Sequence, residues 1–275
     1  MVARGSGPFE MRKLRYFVKG LIPHRIYLFF KQREMNRRSA QVDRRTLFSS
    51  IYANGTWGGQ RGEFYSGSGS LQRFHEAYRA ILRDATRDIA SPIIVDLGCG
   101  DFRVASAVLP PEARYIGVDI VPSMIAHHQD TYANERVQFQ CLDIVNDVLP
   151  DGDVCLIRQV LQHLSNDEIS AVLRNTAKYQ TLLITEHFAP DDRSTYAPNR
   201  DIPHGAGTRV PLDSGVDVRY PPFSLPGATV VAEIPVEIDD FPVQPGEHLK
   251  VFLVPRPTAE VKASANSPAA VERSS

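Results

Sequence analysis

The chain has 275 residues, 43% of them hydrophobic and 23% charged, enough to bury one substantial core plus an appendage, or two small domains. Lysine and arginine total 31 against 32 acidic residues, a formal charge of −1, which excludes a uniformly basic nucleic-acid binder. The balance conceals an asymmetry: residues 1–50 hold 12 basic and 3 acidic side chains, a surplus of +9, and residues 51–275 carry −10.

The three cysteines, Cys99, Cys141 and Cys155, lie in or beside apolar runs. An odd number without small-domain spacing argues against a disulfide framework and for a reducing, cytoplasmic setting. The apolar stretch Leu21 to Phe30 is broken by Pro23, His24 and Arg25. It falls short of the roughly 20 residues a membrane span needs, and no cleavable signal follows it.

In chain order, Leu14, Phe17, Val18, Leu21 and Ile22 recur at helical spacing among Arg and Lys, and a second basic helix is expected from Pro23 to Arg38. Such an extension, residues 1–50, suits packing on its own domain, an oligomer interface or peripheral contact of residues 1–45 with an anionic membrane surface. Residues 51–69 are rich in Gly and Ser around Trp57, Phe64 and Tyr65. Flat rings among glycines suit a lid that closes on a ligand. From Ser70, an expected N-cap, a helix runs to Ala90 with Leu71, Phe74, Ala77, Tyr78, Ile81 and Leu82 as its apolar stripe.

After Pro92 the period changes. Strands are expected at 93–97, 115–119, 137–142, 154–158 and 182–185, with helices at 102–109, 122–133 and 167–178. This repeated β-α-β pattern predicts a parallel sheet covered on both faces. A Pro- and Gly-rich insertion, 189–227, suits substrate contacts. Two late strands, 228–236 and 249–254, are too close for a helical crossover, so the sheet ends antiparallel. The domain is expected to span 70–256, and the tail 257–275 lacks apolar periodicity.

The run VDLGCGDFR, residues 95–103, ends a buried strand in Asp96 and opens through Gly98-Cys99-Gly100 before a helix. Arg103 stands where a dinucleotide fingerprint needs a third small residue, which counts against pyrophosphate, and Asp96 would repel one while attracting an ammonium. Asp119 ends the second strand, 19 residues after Gly100, where a carboxylate can accept from both ribose hydroxyls or simply cap a helix. Asp143 ends the third, level with the other two. Three acids at three strand ends flank one crevice.

In order and spacing, VDLGCG, YIGVDI, FQCLDI and DVCLIRQVLQHLS resemble the class I S-adenosylmethionine-dependent methyltransferases, over roughly residues 70–255. The resemblance implies an α/β, Rossmann-like seven-stranded sheet, mostly parallel with the last strand antiparallel. It implies that Asp96 and Gly98, Cys99 and Gly100 hold the methionine part, that Asp119 with Ile120 holds the ribose, and that Asp143 with Leu142 or Ile144 holds the adenine. Arg158 and Gln159 would lie beside the cofactor. The runs TWGG, RQVLQHLSNDEI, TEHF, NRDIPHG and PPFSLP are similar to a bacterial subgroup associated with sugar or glycan modification.

Methyl transfer to a hydroxyl needs in-line placement and a base. His163, just beyond the fourth strand, is the first candidate, against a role in capping or packing. Glu186 and His187 at the fifth strand's end are alternatives, although neighbours on a strand point oppositely and only one would face the pocket. Trp57 or Tyr65 would stack on a pyranose, and Arg158, Gln159 and Gln162 would bond its hydroxyls. Asp201 and His204 would contact substrate or, with Glu186 or His187, hold a divalent cation such as magnesium. The expected activity is O-methylation of a saccharide or glycan precursor. Alternatives are a small natural product or lipid-linked acceptor, a catalytically silent cofactor-binding module, or a dehydrogenase.

Overall fold

Strands β1 (Ile93–Leu97), β2 (Arg114–Asp119), β3 (Val137–Cys141) and β4 (Val154–Arg158) are short apolar runs bounded by turn residues, and their side chains alternate between two helix-covered faces. Val95, Leu97, Cys155 and Ile157 pack with Ile169 and Val172 of a helix at Asn166–Asn175 on one face. Ile94, Tyr115, Val154 and Leu156 pack with Tyr78, Leu82, Val104 and Ile125 on the other. The structure, a computed structural model, describes residues 42–60, 62–70, 74–236 and 245–255. The two basic helices expected before residue 39 and the tail 257–275 lie outside the described residues.

The helices are α1 (Arg44–Ala53), α2 (His75–Thr86), α3 (Arg103–Val108), α4 (Pro122–Tyr132) and α5 (Asn166–Asn175). Strands β5 (Thr181–Phe188), β6 (Thr229–Pro235) and β7 (His248–Pro255) complete a seven-stranded sheet in the order β3-β2-β1-β4-β5-β7-β6. The first five strands pair in parallel, and β7 runs antiparallel between β5 and β6, as the short connection predicts. Between β1 and β4 the strand order reverses, so their carboxyl ends open a crevice where ligands of such sheets bind.

Two expectations are corrected here. Helix α2 begins at His75, with Phe74 as N-cap and no side-chain cap, because Ser70 instead closes a separate 3₁₀ turn at Ser68–Ser70. Helix α1 runs through the expected junction at residues 50 and 51, and Asp43 caps it by accepting from the Thr46 amide at 3.0 Å. Helix α5 opens with a reciprocal capping box between Ser165 and Glu168. No helix among the described residues is long and apolar enough to cross a membrane.

Candidate functional site

The turn after β1 requires glycine. Gly98 and Gly100 hold φ of +77° and +54°, and a Cβ on Gly98 would run into Val160. This turn, the ends of β2, β3 and β4, helix α1 and the loop after it enclose a cleft that stays partly open to solvent. Asp96, Gly98, Cys99, Gly100, Asp119, Ile120, Leu142, Asp143, Ile144, Arg158, Gln159, Trp57 and His163 all line it.

Asp96 and Asp119 are buried, and burial raises both carboxyls to about 6. Asp96 accepts the Tyr115 hydroxyl on Oδ2 at 2.8 Å, while Oδ1 has no hydrogen bond among the described residues. Asp119 accepts one amide on each oxygen, from Val121 and Gly100, both at 3.1 Å. A carboxylate oxygen has two acceptor positions, so each retains one for a ligand. Burial together with Asp119 and Asp96 pushes the Cys99 thiol well up, which leaves it protonated and unsuited to nucleophilic work.

Asp143 differs from these two. Its oxygens accept Arg44 Nε at 3.3 Å, Arg44 Nη2 at 2.6 Å, the Val145 amide at 3.1 Å and Asn146 Nδ2 at 3.0 Å. It lines the cleft with no acceptor free for an adenine amino group, which corrects that assignment; Leu142, Ile144 and Ile120 remain as apolar walls for a flat base. Arg44 Nη1 also bonds Glu168 Oε1 at 2.6 Å, and that oxygen meets His204 Nδ1 at 2.7 Å.

His163 sits in a 3₁₀ turn, Leu161–His163. Its Nδ1 faces the Gly207 carbonyl at 3.0 Å, so Nδ1 carries the proton and Nε2 the lone pair; Gln162 Nε2 meets that lone pair at 3.3 Å. Burial lowers the imidazole to about 4, keeping it neutral in the ordinary pH range. The Trp57 ring lies 5.0 Å from the His163 ring, and Trp57 Nε1 donates to the Ala206 carbonyl at 3.1 Å.

Several expected site residues lie elsewhere. Glu186 is wholly buried and turned to backbone amides, so it does not face the cleft as a base. His187 points away to Glu247, 3.0 Å from its Oε2. Gln162 is buried outside the cleft lining with its amide on His163, and Tyr65 packs under the Arg103 guanidinium, 5.3 Å from the ring centroid, outside the cleft. Asp201 accepts the Asn166 amide at 2.8 Å, and His204 spends its second ring nitrogen on the Val42 carbonyl at 2.8 Å. These residues therefore assemble no cation site, and no group of three metal-ligating side chains occurs among the described residues.

Sequence reasoning missed Arg44, Phe48, Tyr52, Tyr78, Ser66 and Asp101, all of which line the cleft. Ser66 staples the loop after α1 to the glycine turn: its amide donates to Asp101 Oδ2 at 3.0 Å and its hydroxyl accepts the Asp101 amide at 2.8 Å. The acid after Gly100 was the available signal for Asp101; Arg44 and Tyr52 gave none.

Residues 95–181 match the family model described as a methyltransferase domain. The sheet that these residues build has the class I methyltransferase fold. Over 53 residues it is 40% identical to the malonyl-[acyl-carrier protein] O-methyltransferase of Acetivibrio thermocellus, a match covering 18% of this chain and 19% of that relative. The chain thus matches only about a fifth of that curated relative's length. Among solved structures, magnesium protoporphyrin IX methyltransferase from Synechocystis with bound SAH (S-adenosylhomocysteine) aligns at a TM-score of 0.51 and 18% identity, covering 78% of this chain and 100% of that one. The same protein with bound SAM (S-adenosylmethionine) aligns at 0.51 and 16% identity, covering 79% and 99%. The chain shares their fold, and its cleft lies at the carboxyl ends of β1 to β4.

Proposed function

We propose that the methyltransferase domain binds S-adenosylmethionine in this cleft and transfers its methyl group to a hydroxyl of a saccharide or glycan precursor. The observation that carries the cofactor reading is the pair Asp96 and Asp119: buried carboxyls at adjacent strand ends, with acceptor positions unfilled, beside a turn whose glycines admit a ligand to the backbone. Asp96 suits an ammonium and Asp119 a ribose diol. When bound, the cofactor supplies an electrophilic methyl on a sulfonium, and its loss leaves a neutral thioether.

Once the acceptor hydroxyl displaces the Gln162 amide from it, His163 Nε2 takes the acceptor proton as the acceptor oxygen takes the methyl, so one O–H and one S–C bond break while one O–C and one N–H bond form. Nδ1 stays bonded to Gly207 throughout and cannot compete for that proton. The saccharide reading is supported by Trp57, a flat partly exposed ring beside His163, and by Gln159 and Arg158 on the same wall. We propose that residues 1–45 serve oligomer or anionic-membrane contact through the part before the Asp43 cap, which liposome sedimentation with and without residues 1–41 tests.

Thermal shift with S-adenosylhomocysteine against a nicotinamide nucleotide tests the cofactor reading, since only a bound ligand raises the transition. Stabilisation by S-adenosylhomocysteine alone is the expected result; stabilisation by the nicotinamide nucleotide alone overturns it. Methyl transfer from labelled cofactor to saccharides, but not to lipid-linked acceptors, is the expected outcome for the acceptor.

A further inference from the structure

The turn that carries His163 is gripped at both ends by buried charges. Glu186, with 0% exposure, accepts the amides of Val160, Leu161 and Gln162 at 3.2, 2.9 and 3.0 Å. Arg209, also 0% exposed, directs all five donors inward. Nη1 bonds the Leu161 and Gln162 carbonyls, both at 3.2 Å, and Nη2 bonds the Leu164 carbonyl at 2.8 Å and Asn166 Oδ1 at 3.0 Å. Nε bonds the Arg200 carbonyl at 2.8 Å. Neither residue makes a salt bridge among the described residues.

Burying an ion away from a salt-bridge partner costs several kcal/mol, offset here only by the backbone groups each side chain satisfies and by the attraction between the two. The expense is therefore poorly explained by packing. What the two charges hold is the backbone of residues 160–164, and the chain leading into Arg209 holds the imidazole itself. The Gly205 amide donates to the His163 carbonyl at 2.9 Å, the Gly207 carbonyl takes Nδ1–H at 3.0 Å, and the Ala206 carbonyl between them takes Trp57 Nε1–H at 3.1 Å. One five-residue strap fixes the base candidate and the lid ring together.

We propose that Glu186 and Arg209 are positioning residues that fix His163 in its Nδ1–H tautomer with the lone pair on Nε2, Glu186 through the turn's amides and Arg209 by anchoring the strap that carries Gly207. The assignment rests on the reading of His163 as the base, but the geometry it predicts is measurable without any acceptor.

Long-range proton–nitrogen spectra of protein labelled at histidine, with the His163 signals assigned through His163→Gln, report tautomer and titration directly. In the wild type, His163 is expected as the Nδ1–H tautomer and not to titrate above pH 5. In Glu186→Gln and Arg209→Lys, folded as judged by circular dichroism, a mixture of tautomers is expected, with a titration midpoint moving up from about 4 toward that of a free histidine. Trp57→Phe, which removes the Nε1 bond to the strap and shrinks the ring beside His163, should show a smaller change of the same kind. Unaltered His163 signals in the folded variants would overturn the proposal. Should both charge variants unfold, an Nε2–H tautomer in the wild type, or no change in Trp57→Phe, would overturn it equally. S-adenosylhomocysteine calorimetry on the wild type is the separate arm: its failure removes the cofactor reading, whatever the tautomer.

Discussion

Asp96 and Asp119 face the cleft from positions where burial disfavours their charge, and that sets a pH dependence. Both sit near 6 against a usual carboxylate value of 3.8, so between those limits the unliganded fold binds more protons than the unfolded chain. Their contribution to stability is therefore present at low pH and lost as pH rises through 6. A ligand with an ammonium and a ribose diol favours the ionised carboxylates, so its binding releases protons, and affinity rises with pH and levels above about 6. Calorimetry of S-adenosylhomocysteine from pH 5 to 7.5, in buffers of different ionisation enthalpy, checks this. His163→Ala should cut methyl transfer by about 10²- to 10⁴-fold while leaving cofactor affinity near that of the wild type, as steady-state kinetics and calorimetry would show. The acids at the ends of β1 and β2 were legible because strand ends in such sheets converge on one crevice. The occupancy of Asp143 was not, since Arg44 reaches it from 99 residues away.

At the scale of elements, the β1 turn admits no side chain. Gly98→Ala places a Cβ at φ +77° against Val160, and a loss of about 1–3 kcal/mol in stability together with weakened cofactor binding is expected in urea titration and calorimetry. Ser165→Ala removes the hydroxyl of the α5 capping box and should cost about 1 kcal/mol by the same titration. The strands were readable to within a residue or two through β4, because buried parallel strands are apolar runs bounded by turn residues. Strand β5 continues three residues past the expected 185 to Phe188, and this extension carries both Glu186 and His187. Alternation correctly placed these two on opposite sides, yet neither meets the cleft. Glu186 satisfies amides of a tight turn, and His187 pairs with Glu247, the residue just before the neighbouring strand β7. Such partners are set by tertiary packing and leave no periodic signal.

For the molecule as a whole, helix α1 and the loop after it close the cleft that the sheet opens. Arg44 ties α1 to Asp143 and Glu168, and Ser66 ties the loop to the glycine turn. The alternating strand and helix periods made the sheet and its crevice readable from sequence, and the aromatic glycine-rich run marked the loop along the cleft, but not the helix beside it. The most direct test of the central claim is calorimetric titration of S-adenosylhomocysteine into the wild-type protein and Asp119→Ala. Saturable one-to-one binding that weakens about 30-fold or more in the variant, roughly 2 kcal/mol, is the predicted result. No heat with the wild type, or equal affinity in both proteins, would contradict it.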